Sequence, residues 1–206
     1  MKIAIVSESP GDSLIVKILC AKILGFPIDV VTLKRSADGF AAAKESLKVA
    51  YRQLHYRREA QVMIACVDAD NSYPHLSNCG DPRCRHCDIS SMLDQEERHA
   101  KPNSAFPTPI QCFVAVPPPS IEAWLMAHRD NNCREALWRS QPISRRDSAN
   151  AIRQQKISLY GKLRPSDQER EGAAIAAAND IALIEQCYPN SFGQLASALR
   201  GNLGIT

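Results

Sequence analysis

Two aspartates separated by one alanine, Asp68 and Asp70, close the apolar run VMIACV at residues 62–67. A run that reads as a fully buried strand has no packing reason to end in two like charges. Glu8 ends a second run, KIAIVSE, and Glu122 follows a third, IQCFVAV, behind the turn PPPS. Asp12 lies four residues beyond Glu8 and reads as a helix cap or as a further acid of the same group. Period-two alternation directs Asp68 and Asp70 to one side of their strand. Carboxylates gathered at one edge repel one another unless a cation sits among them. Hard oxygen ligands favour Mg²⁺ or Mn²⁺, which also bind phosphate oxygens. A pair of such ions activates water and stabilises a leaving oxygen in phosphodiester cleavage.

A second group of chemically capable residues lies at 75–87, HLSNCGDPRCRHC. Cys79, Cys84 and Cys87 are thiolate candidates, and Cys84-x-x-Cys87 has the spacing of half a zinc knuckle. Zinc takes four N or S donors in a tetrahedron. His75 is the first choice for the fourth position; His86 and His99 are the other histidines near by, and His86 falls awkwardly between two ligands. Gly80 and Pro82 suit a tight loop. A structural Zn²⁺ would replace the apolar core this polar loop lacks.

The elements that must position these groups follow from the pattern. Residues 2–8 form strand one, and Asp12 or Ser13 caps a helix that ends at Gly25. Residues 28–34 are strand two, 38–60 a helix with a basic second half, 62–68 strand three and 110–116 strand four. A helix opens at SIEAWLMAHRD, and from Arg145 the chain is mostly helical, broken at Pro165 and Pro189. Strands alternating with helices imply an α/β fold, a parallel sheet flanked on both faces. Such sheets place ligands beyond the C-terminal ends of their strands, where the acids fall. Residues 1–206 read as a single domain, with an irregular, zinc-binding insertion at about 71–109 and a helical C-terminal part.

Taken in chain order, Glu8, Asp68-Ala69-Asp70 and Ser120-Ile121-Glu122 resemble the Toprim family of topoisomerases, primases and nucleases. Toprim domains have a Rossmann-like sheet, a glutamate after strand one and a DxD after strand three. The closer likeness is to Toprim domains of OLD-type nucleases and to compact stand-alone bacterial proteins of this type. The OLD-type domains add an acid four residues after the first glutamate, then SxE, then a lysine. Here those are Asp12, Ser120 with Glu122, and Lys162 or Lys156 within KISLYGKL. The phrases IEAWLMAH and YPNSFGQLASAL are also similar to the stand-alone proteins. Ser9 stands where the family has glycine, which is shifted to Gly11.

The resemblance implies that Glu8, Asp12, Asp68, Asp70 and Glu122 hold one or two divalent ions, that Ser120 supports them, and that the lysine steadies the phosphate. It implies a Mg²⁺-dependent nuclease acting on DNA or RNA, in an antiviral or mobile-element setting, with a partner ATPase or other defence-system subunit as its companion. The alternatives are a Toprim-fold nucleic-acid-binding or regulatory subunit without catalysis of its own, and phosphoryl or nucleotidyl transfer to a small molecule.

The remaining residues bound this reading. With 45% hydrophobic and 23% charged residues the chain suits an ordinary folded protein. A net charge of +3 is too small to imply a nucleic-acid partner without a local basic patch. No apolar run approaches the roughly 20 residues of a membrane span, and no export signal precedes the first strand, so a cytoplasmic location is expected. Cys20, Cys66, Cys112, Cys133 and Cys187 are scattered and read as small hydrophobes. YRQLHYRRE, with Arg52, Arg57 and Arg58, reads first as a solvated helix face. Arg83 and Arg85 hang beside the acidic edge and are the better phosphate-binding candidates. Trp124 and Trp138 read as core, and His128 as a charge at a helix end.

Overall fold

A computed structural model describes residues 2–31, 39–57, 60–76, 79, 81–100, 109–130, 134–139 and 144–202. The sheet has four parallel strands in the order β2-β1-β3-β4: β1 is Lys2–Ser7, β2 Asp29–Val31, β3 Val62–Cys66 and β4 Gln111–Ala115. Of its two central strands β3 is apolar throughout and β1 is apolar from Ile3 to Val6, because both of their faces are covered. Ile3, Ile5, Val62 and Ile64 point into one core, and Ala4, Val6, Met63 and Ala65 into the other. The first core is filled by α1 (Pro10–Leu24), α4 (Ile121–Leu125) and the C-terminal helices α6 (Arg145–Tyr160), α7 (Pro165–Ala178), α8 (Ile181–Cys187) and α9 (Phe192–Asn202). The second is filled by α2 (Phe40–Arg57) and α3 (Arg85–His99). A short α5 (Glu135–Arg139) precedes the C-terminal group.

Strand β1 leads to β2 on one side of the sheet, while β3 and β4 lie on the other. The strand order therefore reverses between β1 and β3. At such a switch point the connections after the two strands run to opposite faces and leave a crevice. Helix α1 follows β1 on one face and α3 follows β3 on the other, so Glu8 and Asp68 border that crevice.

Several expectations change in detail. Helix α1 is capped by Ser9, whose Oγ accepts from the Asp12 N–H at 3.1 Å, with Pro10 in the first turn. Neither Asp12 nor Ser13 is the cap; a proline fits the first turn because its missing N–H has no partner there to lose. The helix does end at Gly25, whose φ of 75° is the left-handed conformation glycine adopts freely. Residues 71–109 are not structureless. They include the 15-residue helix α3, which buries Ile89, Met92 and Leu93 against the second core. Glu96 on its inner face holds Arg52 of α2 with paired bonds of 2.6 and 2.8 Å. The helix from Ile121 is one short α segment followed by a 3-10 turn, Met126–His128. Residues 32–34 of the expected second strand, Arg58, Gly80 and Cys133 lie outside the described residues.

Trp124 is fully buried, edge-on to Phe192 with centroids 5.0 Å apart, and its indole N–H donates to Ser191 Oγ. Trp138, by contrast, is only half-buried on α5. His128 ends the 3-10 turn, and its Nε2 accepts the Asp180 N–H, joining that turn to α8. Gly172 of α7 lets that helix approach α1, since a Cβ there would lie 3.1 Å from both Ile15 Cδ1 and Tyr160 Oη. Among the described residues no helix is long and apolar enough to cross a membrane.

Candidate functional site

Strand β3 ends at Cys66, so Asp68 and Asp70 are not held by strand alternation. Pairing nevertheless continues past the strand. Val67 N–H donates to Ala115 O, Ala69 N–H to Pro117 O and Asp70 N–H to Pro119 O. The proline-rich turn after β4 is thus an acceptor rail for the DxD segment. It offers carbonyls without competing N–H donors. Asp70 then takes a φ of +48°, a conformation in which aspartate is tolerated better than most side chains. The two aspartates diverge. Asp68 turns inward, its Oδ1 accepting the Ile121 N–H at 3.0 Å. Asp70 turns outward and pairs with Arg85 at 2.6 Å.

Asp12, Glu122 and Glu8 lie near enough to Asp68 for their charges to act on it, though not near enough together to share one ion. Glu8 Oε1 accepts the Asp68 N–H at 3.1 Å, which ties the end of β1 to the end of β3. Glu122 is buried and accepts from Ser120 Oγ at 2.7 Å. Burial pushes the Asp68 carboxyl well above its ordinary range, and the charges of Asp12, Glu122 and Glu8 push it further. Asp12 is raised to about 6, first by burial and then by Glu122, against the pull of the Ser9 hydroxyl and Lys156. Glu8 is raised by burial and by Asp70 and Asp12, against Arg85. These carboxylates feel one another, yet their oxygens are held apart by separate hydrogen bonds.

Two basic side chains face them. Lys156 on α6 brings Nζ to 3.5 Å from Glu122 Oε1. Burial works against its charge, but Glu122, Asp68 and Asp12 hold its pKa above the ordinary value. Of the two candidate lysines it is the one at the acids; Lys162 is exposed on the turn after α6. Arg85 donates from Nη1 to Asp68 O at 2.5 Å and to Glu8 Oε1 at 3.4 Å, and lies 4.3 Å over the Phe40 ring. Arg83 instead pairs with Asp81 and covers Tyr73.

The Cys/His group is tighter. Among the described residues, His75, Cys79, Cys84 and Cys87 are the one set of three or more such donors close enough to share an ion, with all ligand atoms within 4.8 Å. Cys84 Sγ and Cys87 Sγ each lie 3.5 Å from His75 Nδ1. A zinc tetrahedron with Zn–S of about 2.3 Å and Zn–N of about 2.05 Å has an S···N edge of about 3.6 Å. Cys84 caps α3 and Cys87 lies in its first turn, so the helix start fixes two donors. Burial pushes Cys84 up to about 12, and it raises Cys87 also. Burial works against the Cys79 thiolate too, but the Asp81 N–H and the neighbouring thiols hold its pKa below the ordinary value. A divalent ion would ionise all three sulfurs. Partial burial lowers the His75 pKa, which favours the neutral form a ligand needs. His86 is not a fourth donor but stacks on His75 with centroids 3.9 Å apart. The group can therefore hold a zinc ion.

The basic segment of α2 divides. Tyr51 and His55 are buried, Arg52 is bound to Glu96, and Tyr56 and Arg57 are exposed. Cys20, Cys66 and Cys187 are buried free cysteines, while Cys112 is half-buried. No protein-family model, curated protein or solved structure matches the chain.

Proposed function

We propose that this chain is a divalent-metal-dependent hydrolase of nucleic-acid phosphodiesters, with a Toprim arrangement of acids and a structural zinc in the loop that carries Arg85. The observation that carries the reading is the half-buried Asp68 at the β1/β3 crevice, tied to β1 by Glu8 and to the start of α4 by the Ile121 N–H, with Glu8, Asp12 and Glu122 close enough to raise its pKa. Such crowding costs stability and gains the fold nothing by itself. It suits residues awaiting a cation. Asp12, Asp68 and Glu122, whose oxygens stand too far apart to share an ion as they are, would close on a divalent ion when it binds, with Glu8 and Asp70 on the Arg85 side. When bound, Mg²⁺ or Mn²⁺ supplies Lewis-acid polarisation of the phosphate and a water of lowered pKa.

The chain's own groups supply orientation and charge. Ser120 holds one oxygen of Glu122, and the Ile121 N–H holds one oxygen of Asp68. Lys156 extends from a half-exposed position on α6 and can meet a phosphate oxygen while remaining beside Glu122. Arg85 keeps Glu8 and Asp70 from repelling each other.

The second reading, a nucleic-acid-binding or regulatory subunit without catalysis, has an observation of its own. Arg85 already occupies the Glu8/Asp70 side, as an internal counter-ion would. Purified protein incubated with single- and double-stranded DNA and RNA in Mg²⁺ or Mn²⁺ separates the two. Cleavage that is lost in Asp68→Ala and Asp70→Ala, with circular dichroism unchanged, is expected. Binding without cleavage of any of the four substrates would overturn the hydrolase and leave the second reading.

A further inference from the structure

Arg85 stands in the chain between two donors of the Cys/His group, Cys84 and Cys87, at the first position of α3. A cation there is unfavourable for the helix, whose N-terminus carries partial positive charge. Helix stability therefore does not explain it. Its guanidinium leaves the cluster and ends on the acidic edge, at Asp68 O, Glu8 Oε1 and Asp70 Oδ2. The side chain is only 15% exposed and is covered by the Phe40 ring, so the fork is held in one place. From the other direction the chain runs from Asp70 to the donor His75 in five residues. The cluster and the acidic edge are joined twice, once through the backbone and once through Arg85.

We propose that Arg85 is a positioning residue that makes these two sites one unit: a filled Cys/His cluster fixes the start of α3, and the fixed helix start holds Arg85 between Glu8 and Asp70. Without the metal the start of α3 keeps its sulfur cap and the Lys44–Asp88 pair, but only sulfur contacts of 3.5 Å tie it to His75, and Arg85 is released with that weaker tie. Glu8 and Asp70 then face each other without a counter-charge. Linkage makes the effect reciprocal: if zinc favours the docked arginine, the docked arginine favours zinc by the same factor. Carboxylates that touch no zinc ligand thereby contribute to zinc affinity.

That reciprocity gives the test, and it rests on the zinc half of the function proposed above but not on hydrolysis. Zinc affinity is measured on the full chain by competition with a chelating indicator for the unaltered protein, Arg85→Gln, Asp70→Asn and the double variant. Each single change is expected to weaken zinc about tenfold, which is about 1.4 kcal/mol. The double variant should be no weaker than Arg85→Gln, because both changes break one link. An unchanged affinity in Asp70→Asn, or losses that add, would overturn the coupling even if zinc binds. A chain that binds no zinc ends both the coupling and the zinc assignment, whereas failure to cut nucleic acid touches neither. A second measurement needs no variant. Phenylglyoxal modification, mapped by peptide mass, should spare Arg85 in zinc-loaded protein and reach it after chelation. Arg83, whose side chain is 57% exposed, should react in both states. Equal reactivity of Arg85 with and without zinc would refute the mechanism.

Discussion

Replacing Asp12 by asparagine should stabilise the protein in the absence of added divalent ions, and only above a definable pH. The Asp12 carboxyl titrates at about 6 in the fold, against 3.8 as its ordinary value. A raised carboxylate pKa means that the folded state holds its proton longer than the unfolded chain does. Stability therefore falls as pH rises from about 4 to about 6, and the whole penalty is present above that window. At about 1.4 kcal/mol per pH unit the penalty is on the order of 3 kcal/mol. The asparagine amide would mimic the protonated acid and keep an acceptor for the Ser9 hydroxyl. It forfeits a favourable charge in the first turn of α1, worth about 0.5 kcal/mol. The net expectation is about 2 kcal/mol of stabilisation at pH 7.5, or roughly 4–8 °C for a chain of this size. Thermal melts followed by circular dichroism, with zinc retained and no other divalent ion, read it directly. At pH 4 the two proteins should melt within a degree or two of each other. Millimolar Mg²⁺ should then raise the melting temperature of the unaltered protein more than that of the variant. If Asp12→Asn were no more stable at pH 7.5, or its advantage the same at pH 4, the burial and like-charge crowding inferred for Asp12 would be wrong.

Three further outcomes are expected. Elemental analysis should find about one zinc per chain, and Cys84→Ala should lose most of it along with the cap of α3, seen as reduced helicity at 222 nm. Lys156→Ala should lower cleavage by roughly 100-fold, since it removes the cation nearest the buried acids, whereas Lys162→Ala should cleave within about threefold of the unaltered protein; equal losses would mean that the turn after α6 reaches the substrate. Trp124→Ala should cost about 3–5 kcal/mol in a urea titration, because it empties a fully buried indole and leaves Ser191 without its donor.

The strands were the legible part of the sequence because parallel strands covered on both faces leave unbroken apolar runs, and three of the four runs lie within a residue or two of their expected places. Helix α3 was obscured by its own polarity. The spacing of Ile89, Met92 and Leu93 carried a helical period, but the neighbouring cysteines drew the segment toward an irregular loop. Ser9, the actual cap, lies three and four residues ahead of Asp12 and Ser13, and the cue for it is Pro10 directly behind. The choice between Lys156 and Lys162 had no answer in the sequence. Which turn of α6 faces the strand ends is set by its packing against α4 and α7, and neither contact leaves a local pattern. The Cys/His donors were legible because metal ligands must be particular residue types at short spacing, whatever the surrounding fold.

The divergence of Asp68 and Asp70 shows why a motif's spacing and its geometry are separate matters. Two acids with one residue between them share a side only while the strand lasts, and β3 stops at Cys66. Beyond that point their directions are set by the Pro117 and Pro119 carbonyls and by the left-handed turn at Asp70. The outcome is a division of charge. Asp68 joins Asp12 and Glu122, opposite Lys156 from the C-terminal helices, while Asp70 joins the outer side of Glu8, opposite Arg85 from the Cys/His loop. The two cations come from helices on opposite faces of the sheet, Lys156 from α6 and Arg85 from α3, so the balance of the site depends on a support from each face. A phosphodiester entering the crevice would meet Lys156 on one side and Arg85 on the other. Loss of either support should therefore be felt by the same group of strand-end acids.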